Sequence, residues 1–239
     1  MGNGDRSRYG IIGIIGAMEE EVRLLAGKLE EREEKRAAGI SFVKGTIAGR
    51  QVVLCKSGVG KVNAAVTAQL LVTACEAEAI LFTGVAGALD PELEVGDLVV
   101  SLDCLQHDMD ASALGFPRGV IPFQEQSVFA ADPELVRIAA ESGEEILPGR
   151  LKTGRVLSGD RFIADKEEVA GLRRDFGGVC AEMEGAAVAQ VCSMNGIPFV
   201  IIRSMSDKAD GSAPVSFAEF TALAAKRSCE LVEHMLGKL

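Results

Sequence analysis

The sequence predicts an α/β fold, three layers deep (α/β/α), with a mixed and mostly parallel sheet at its centre. Two observations lead there. Apolar runs of strand length alternate with helical patterns along the 239 residues. Several of those runs are rich in Val and Ile and nearly unbroken, as expected when both faces of a sheet are covered. A balance of 48% apolar, 25% charged and 5% aromatic residues, with no tryptophan, suits such a core.

The first run, residues 10–15, reads as a strand that ends at Gly16 and opens a helix over 19–34. Runs at 41–47 and 51–56 read as strands, followed by a helical pattern over 61–75. Strands at 79–83 and 97–103 lead into a stretch, 102–126, that breaks the pattern. It holds prolines, glycines and the apolar residues Met109, Leu114, Phe116, Ile121 and Phe123 without periodicity. A loop this long in a compact domain is functional or lies at an interface. A helix over 132–145, a strand at 151–158, a helix over 166–175 and a short strand at 179–182 come next. The helix over 185–195 is closed by Gly196-Ile197-Pro198, where a strand at 198–204 starts, and a last helix covers 216–239. No repeat or linker intervenes, so residues 10–239 read as one domain behind a polar, flexible segment, 1–9.

Composition excludes several classes. A formal net charge of −10 leaves no basic surface for a phosphate backbone or an anionic membrane. No segment approaches the roughly 20 apolar residues of a membrane helix, and the run at 10–18 is too short and too acid-flanked for a signal peptide. Six scattered cysteines without a CxxC pair read as buried thiols in a reducing compartment, which predicts a cytoplasmic protein. The two histidines, His107 and His234, have no Cys or His at ligand spacing, so neither a metal site nor a cofactor is expected.

Ligands of open α/β sheets bind beyond the carboxyl ends of the strands, and the informative residues fall there. Glu19, Glu20 and Glu21 follow the first strand; acids in a first helical turn also complement the helix dipole, which suffices for Glu19 and Glu20 and leaves Glu21 open. Ser57-Gly58-Val59-Gly60-Lys61 and Thr83-Gly84-Val85-Ala86-Gly87 are glycine-rich turns but neither a Walker A nor a GxGxxG motif. They signal close backbone approach. Glu182-Met183-Glu184 interrupts a small, apolar stretch, and Arg203-Ser204-Met205-Ser206-Asp207 ends a strand. Carboxylates at the edge of a core are costly unless paired or hydrogen-bonded. Asp207 as a helix N-cap and Arg203 as one half of a buried ion pair are the plain structural alternatives.

At this point a family resemblance emerges. Residues 14–21, 56–62, 158–163, 182–186 and 203–207 resemble, in order and in spacing, the bacterial 5′-methylthioadenosine/S-adenosylhomocysteine nucleosidases, and the likeness runs from residue 10 to 239. The resemblance implies a nucleoside phosphorylase-like sandwich and hydrolysis of the N-glycosidic bond of methylthioadenosine, S-adenosylhomocysteine and 5′-deoxyadenosine. It implies that Asp207, oriented by Ser206 and with a raised pKa, delivers a proton to N7 of adenine, and that Glu21 activates water with Arg203 as a second contact. Glu184 takes the ribose hydroxyls, with Glu182 beside it and Met183 against the sugar. Phe162 and Ile163 hold the base, while Met18, Val59 and Phe217 line the remaining substrate surface. Core packing is the ordinary alternative for Phe162, Phe217 and Met18.

The same resemblance implies a homodimer in which Ala111, Leu114, Phe116 and Pro122 wall the neighbour's pocket. Val85 replaces a serine found in some relatives, and Ala111 and Leu114 replace bulkier residues, which bears on the choice of 5′ group. An acid-lined pocket favours water over phosphate, since a carboxylate repels a phosphate by roughly 1–4 kcal/mol per charge pair. A futalosine-type hydrolase or a phosphorylase on this fold is the nearest rival, and a non-catalytic nucleoside-binding protein is a more distant one.

Overall fold

Ile12 and Ile14 of the first strand face one buried layer while Ile15 faces the other, and this two-sided burial organises the whole chain. The computed structural model describes residues 8–209 and 213–239. Its elements are β1 (Ile11–Gly16), α1 (Glu19–Lys28), β2 (Glu30–Ala37), β3 (Ile40–Ile47), β4 (Arg50–Lys56), α2 (Lys61–Cys75), β5 (Ala79–Ala88) and β6 (Leu98–Gln106). After a 3₁₀ turn (Ser112–Leu114) come β7 (Val128–Ala130), α3 (Pro133–Ile146), β8 (Leu151–Ser158), α4 (Lys166–Phe176), β9 (Gly178–Glu182), α5 (Gly185–Asn195), β10 (Phe199–Asp207) and α6 (Ala213–Leu236).

The ten strands form one mixed sheet in which β5 is the hinge. Its first half pairs parallel with β1, its last residues pair antiparallel with β9, and its other edge pairs parallel with β10. Because β10, β6, β8 and β9 are joined in turn, this half of the sheet curls round and closes on β5. Helices α2 and α5 cover one face through Ala64, Ala68, Leu71, Ala186 and Ala189. Helices α1, α3 and α6 cover the other through Leu25, Leu135, Ile138, Leu231 and Met235. The α/β/α layering read from the sequence is the observed one.

Local signals explain the helix ends. Asp132 caps α3 by accepting the N–H groups of Glu134 and Leu135, with Pro133 in the first turn. Asp165 caps α4 likewise, and Gly177 closes it in the left-handed region. The expected helix over 19–34 is shorter than predicted. It stops at Lys28, and residues 30–37 form β2, paired antiparallel with β3 at the sheet edge. The run Glu30-Glu31-Arg32-Glu33-Glu34-Lys35-Arg36 has no apolar side chain to pin a helix to the core, whereas an edge strand needs only its backbone ladder. Residues 1–7 of the expected flexible segment lie outside the described residues; Tyr9 is buried against the α1–α3–α6 layer.

Candidate active site

The carboxyl ends of β1, β5, β8, β9 and β10 converge on one cavity, which with its mouth encloses about 600 Å³. It is lined by Met18, Glu21, Val59, Val85, Phe162, Ile163, Glu182, Met183, Glu184, Ser206, Asp207 and Phe217, with Ala17, Ala86, Gly87, Arg161 and Ala181 completing the wall. The only side-chain cation among these is Arg161, whose guanidinium is engaged by Glu168 at 2.7 Å. Among the described residues no cluster of His, Cys, Asp and Glu could hold a metal ion.

The three acids after β1 separate cleanly. Glu19 and Glu20 are exposed, and Glu19 pairs with Lys56 at 3.0 Å. Glu21 turns inward and is buried. One of its oxygens accepts the N–H groups of Ala17 (2.6 Å) and Met18 (2.8 Å), and the other accepts that of Val85 (3.0 Å). Burial nevertheless outweighs these bonds and the nearby Arg203, and holds its pKa above the ordinary carboxylate value.

At the β9–α5 junction Glu182 and Glu184 both face the cavity, with Met183 between them. Glu182 is heavily committed: it accepts from Arg203 Nη2 at 2.5 Å, from the Ser158 hydroxyl, and from the N–H groups of Gly185 and Glu184. Glu184 accepts one N–H, from Gly60, at 2.8 Å. Burial first, and then the charge of Glu182, pushes its pKa up to about 8. Arg203 lies behind the lining rather than in it, with its guanidinium 4.1 Å from the Phe82 ring centroid. Burial acts to discharge it, but Glu182, Glu21 and Glu184 together hold its pKa above the usual value. Its Nε has no hydrogen-bond partner among the described residues.

Asp207 ends β10 and is buried, with the Ser206 hydroxyl donating to Oδ2 at 2.8 Å and the Ala209 N–H to Oδ1 at 2.7 Å. The glycines of the 83–87 turn now have a physical reason. A Cβ on Gly84 would lie 2.7 Å from Glu21 Oε1 and 3.1 Å from Arg203 Nη1. One on Gly87 would lie 2.8 Å from Asp207 Oδ1. Both glycines make room for carboxylates, so the close approach expected from the sequence is to protein groups.

Also on the cavity wall, Phe162 and Phe217 meet edge to face with centroids 5.6 Å apart, and the neighbouring Ile163 is a buried part of the same lining. Ala111, Leu114, Phe116 and Pro122 do not line this cavity. They lie on the 107–123 segment, where Leu114 is 73% and Phe123 89% exposed. Sequence reasoning did not single out Ser158 or Arg161 for a role of their own: Ser158 matters through Glu182 and Ala186, 24 and 28 positions away, and Arg161 lies in a turn with no periodic signal.

The Phosphorylase superfamily matches residues 11–237. The 5′-methylthioadenosine/S-adenosylhomocysteine nucleosidase of Halalkalibacterium halodurans is 45% identical over 230 residues, which cover 95% of this chain and 98% of that protein. The chain belongs to this nucleosidase family. A solved nucleosidase from Neisseria meningitidis, in complex with methylthio-immucillin-A, superposes with a TM-score of 0.92 at 38% identity, covering 96% of this chain and all of the other. Futalosine hydrolase of Helicobacter pylori is also similar, with a TM-score of 0.91 at 35% identity over 96% of this chain and 98% of its own. Nucleosidases of this family therefore share the chain's fold across nearly its full length.

Proposed function

We propose that this protein hydrolyses the N-glycosidic bond of 5′-methylthioadenosine and S-adenosylhomocysteine, and of 5′-deoxyadenosine, releasing adenine. The observation that carries the reading is the placement of Glu21 and Asp207, both buried, on the wall of one cavity lined by apolar side chains and two further carboxylates. Asp207 protonates N7 so that adenine leaves neutral, and Ser206 orients it. Glu21 takes the proton of the attacking water. Arg203, given as a second water contact by the resemblance, stands behind the lining with its guanidinium beside the Glu21 carboxylate, and supports the water through that charge. Positive charge that builds on the ribose in an oxocarbenium-like transition state is met by the carboxylates around it.

Glu184, whose carboxylate takes one N–H among the described residues, accepts the ribose hydroxyls, and Met183 lies against the sugar. Glu182, whose oxygens are taken up by Arg203, Ser158 and backbone N–H groups, serves the substrate by holding Glu184 and Arg203 in place. Phe162 stacks on the base and Ile163 binds its edge through the main chain. Met18, Val59 and Phe217 receive the remainder of the nucleoside. The exposed apolar side chains of the 107–123 segment support a homodimer, in which Ala111, Leu114, Phe116 and Pro122 wall the neighbour's 5′ pocket. Six cysteines standing as thiols suit a cytoplasmic enzyme, and cleavage of these nucleosides places it in methionine salvage.

Water is the better nucleophile here because the cavity presents carboxylates and one engaged arginine to any phosphate dianion. Adenine release measured in phosphate-free buffer tests this directly. The likeness to a futalosine hydrolase makes that nucleoside the second substrate to assay.

A further inference from the structure

Outside the cavity lining, Asp108, Asp160 and Lys61 close a triangle of hydrogen bonds. Asp108 Oδ2 accepts the Asp160 N–H at 3.0 Å, Asp160 Oδ1 accepts the Lys61 N–H at 2.8 Å, and Lys61 Nζ donates to Asp108 Oδ1 at 2.6 Å. The Lys61 and Asp108 side chains are only 17% and 21% exposed, so the ion pair is well shielded. These contacts hold Asp108 below its ordinary carboxylate value against the opposing effect of burial.

Each corner belongs to a different part of the site. Lys61 opens α2 and follows Gly60, whose N–H donates to Glu184. Asp160 sits in the turn after β8, two residues before Phe162. Asp108 follows β6 and begins the 107–123 segment. The three segments are also in direct contact. A Cβ on Gly159 would lie 2.5 Å from His107 Nε2, and one on Gly60 would lie 3.2 Å from Asp160 Oδ1.

We infer that Asp108 is a positioning residue, whose carboxylate fixes the loop carrying Phe162 and Ile163 relative to the turn that orients Glu184. The inference rests on the assignment of those residues to base and ribose. The loop itself is neither helix nor strand between Gly159 and Asp165, and Phe162 is 47% exposed, so its backbone depends on such ties. Without Asp108 the loop must be ordered at the moment of binding, and that cost falls on nucleoside affinity. Glu21 and Asp207 stand on β1–α1 and β10, away from the triangle, so the chemical step is spared.

Steady-state adenine release by the wild type, Asp108→Ala, Asp108→Asn, Lys61→Met and the Asp108→Ala/Lys61→Met pair, with melting temperatures, tests this. We expect KM to rise about tenfold in Asp108→Ala with kcat within about threefold. Asp108→Asn, which keeps one acceptor oxygen, falls between that variant and the wild type. The double variant is no worse than Asp108→Ala, because both changes open the same triangle. An unchanged KM in a folded Asp108→Ala protein, or a lower kcat at unchanged KM, overturns the inference. Should Asp108→Ala not fold, Asp108→Asn and Lys61→Met decide: a raised KM in either supports it, and wild-type KM in both overturns it. A wild type that releases no adenine removes the underlying assignment, and the inference with it.

Discussion

Arg203 and Glu182 form an ion pair at 2.5 Å with side chains 1% and 2% exposed, beside the cavity. The pair joins β10 to β9 and sets the guanidinium next to Glu21 while Glu182 anchors the first turn of α5. Its desolvation is offset by the hydrogen bonds that fill the remaining oxygens of Glu182.

Removing one partner leaves the other charge buried and unpaired. Glu182→Ala is therefore expected to lower stability by about 3–5 kcal/mol, read from urea denaturation. A loss below about 1 kcal/mol would show that the pair is dispensable to the fold.

Glu184 links pH to stability. Its pKa of about 8 lies above the ordinary 4.5, so the native state binds its proton more tightly than the unfolded chain. That contribution is complete below about 4.5 and is lost as pH rises through 8. Glu21, also held high, acts in the same direction. His107, held below 6.5, acts oppositely, so the informative comparison is with Glu184→Gln. Between pH 5 and 8 the wild type should lose a few kcal/mol more than this variant, by urea midpoints at both pH values. Parallel pH profiles would contradict the raised value.

Glu21→Gln keeps the shape of the side chain and removes the proposed base. A fall in kcat of about 10²–10⁴-fold with a nearly unchanged KM is expected in steady-state assays. On the acid side, wild-type activity should climb through an apparent pKa above 4.5, because burial holds Glu21 high. Wild-type kcat in the variant would remove Glu21 from the mechanism.

Leu114, at 73% exposure, tests the proposed dimer. Leu114→Glu should shift the protein toward monomer in light scattering and raise KM for nucleosides with a 5′ substituent. A monomeric wild type would contradict the shared pocket.

Much of this was legible in the sequence where a signal is local. Helix α2 begins where the glycine turn at 58–60 places it, and α5 ends at the Gly196-Ile197-Pro198 stop. The Glu182–Glu184 junction and the Asp207 strand end fall at the cavity, since strand ends are where such folds expose side chains. Edge strand β2 was not legible, because seven successive charged residues carry neither a period of 2 nor of 3.6. Nor was the direction of Glu21 against Glu19 and Glu20, which is set by the N–H groups of Ala17, Met18 and Val85. The choice of Glu182 as the partner of Arg203, and the Lys61–Asp108–Asp160 triangle, depend on contacts across 21 to 99 positions that no periodicity records.

The most direct test of the central claim is adenine release from 5′-methylthioadenosine in phosphate-free buffer, by the wild type and Asp207→Asn side by side. Release by the wild type, reduced by about 10²-fold or more in the variant, is the predicted result. Release that begins only when phosphate is added, or a variant as fast as the wild type, would contradict the account.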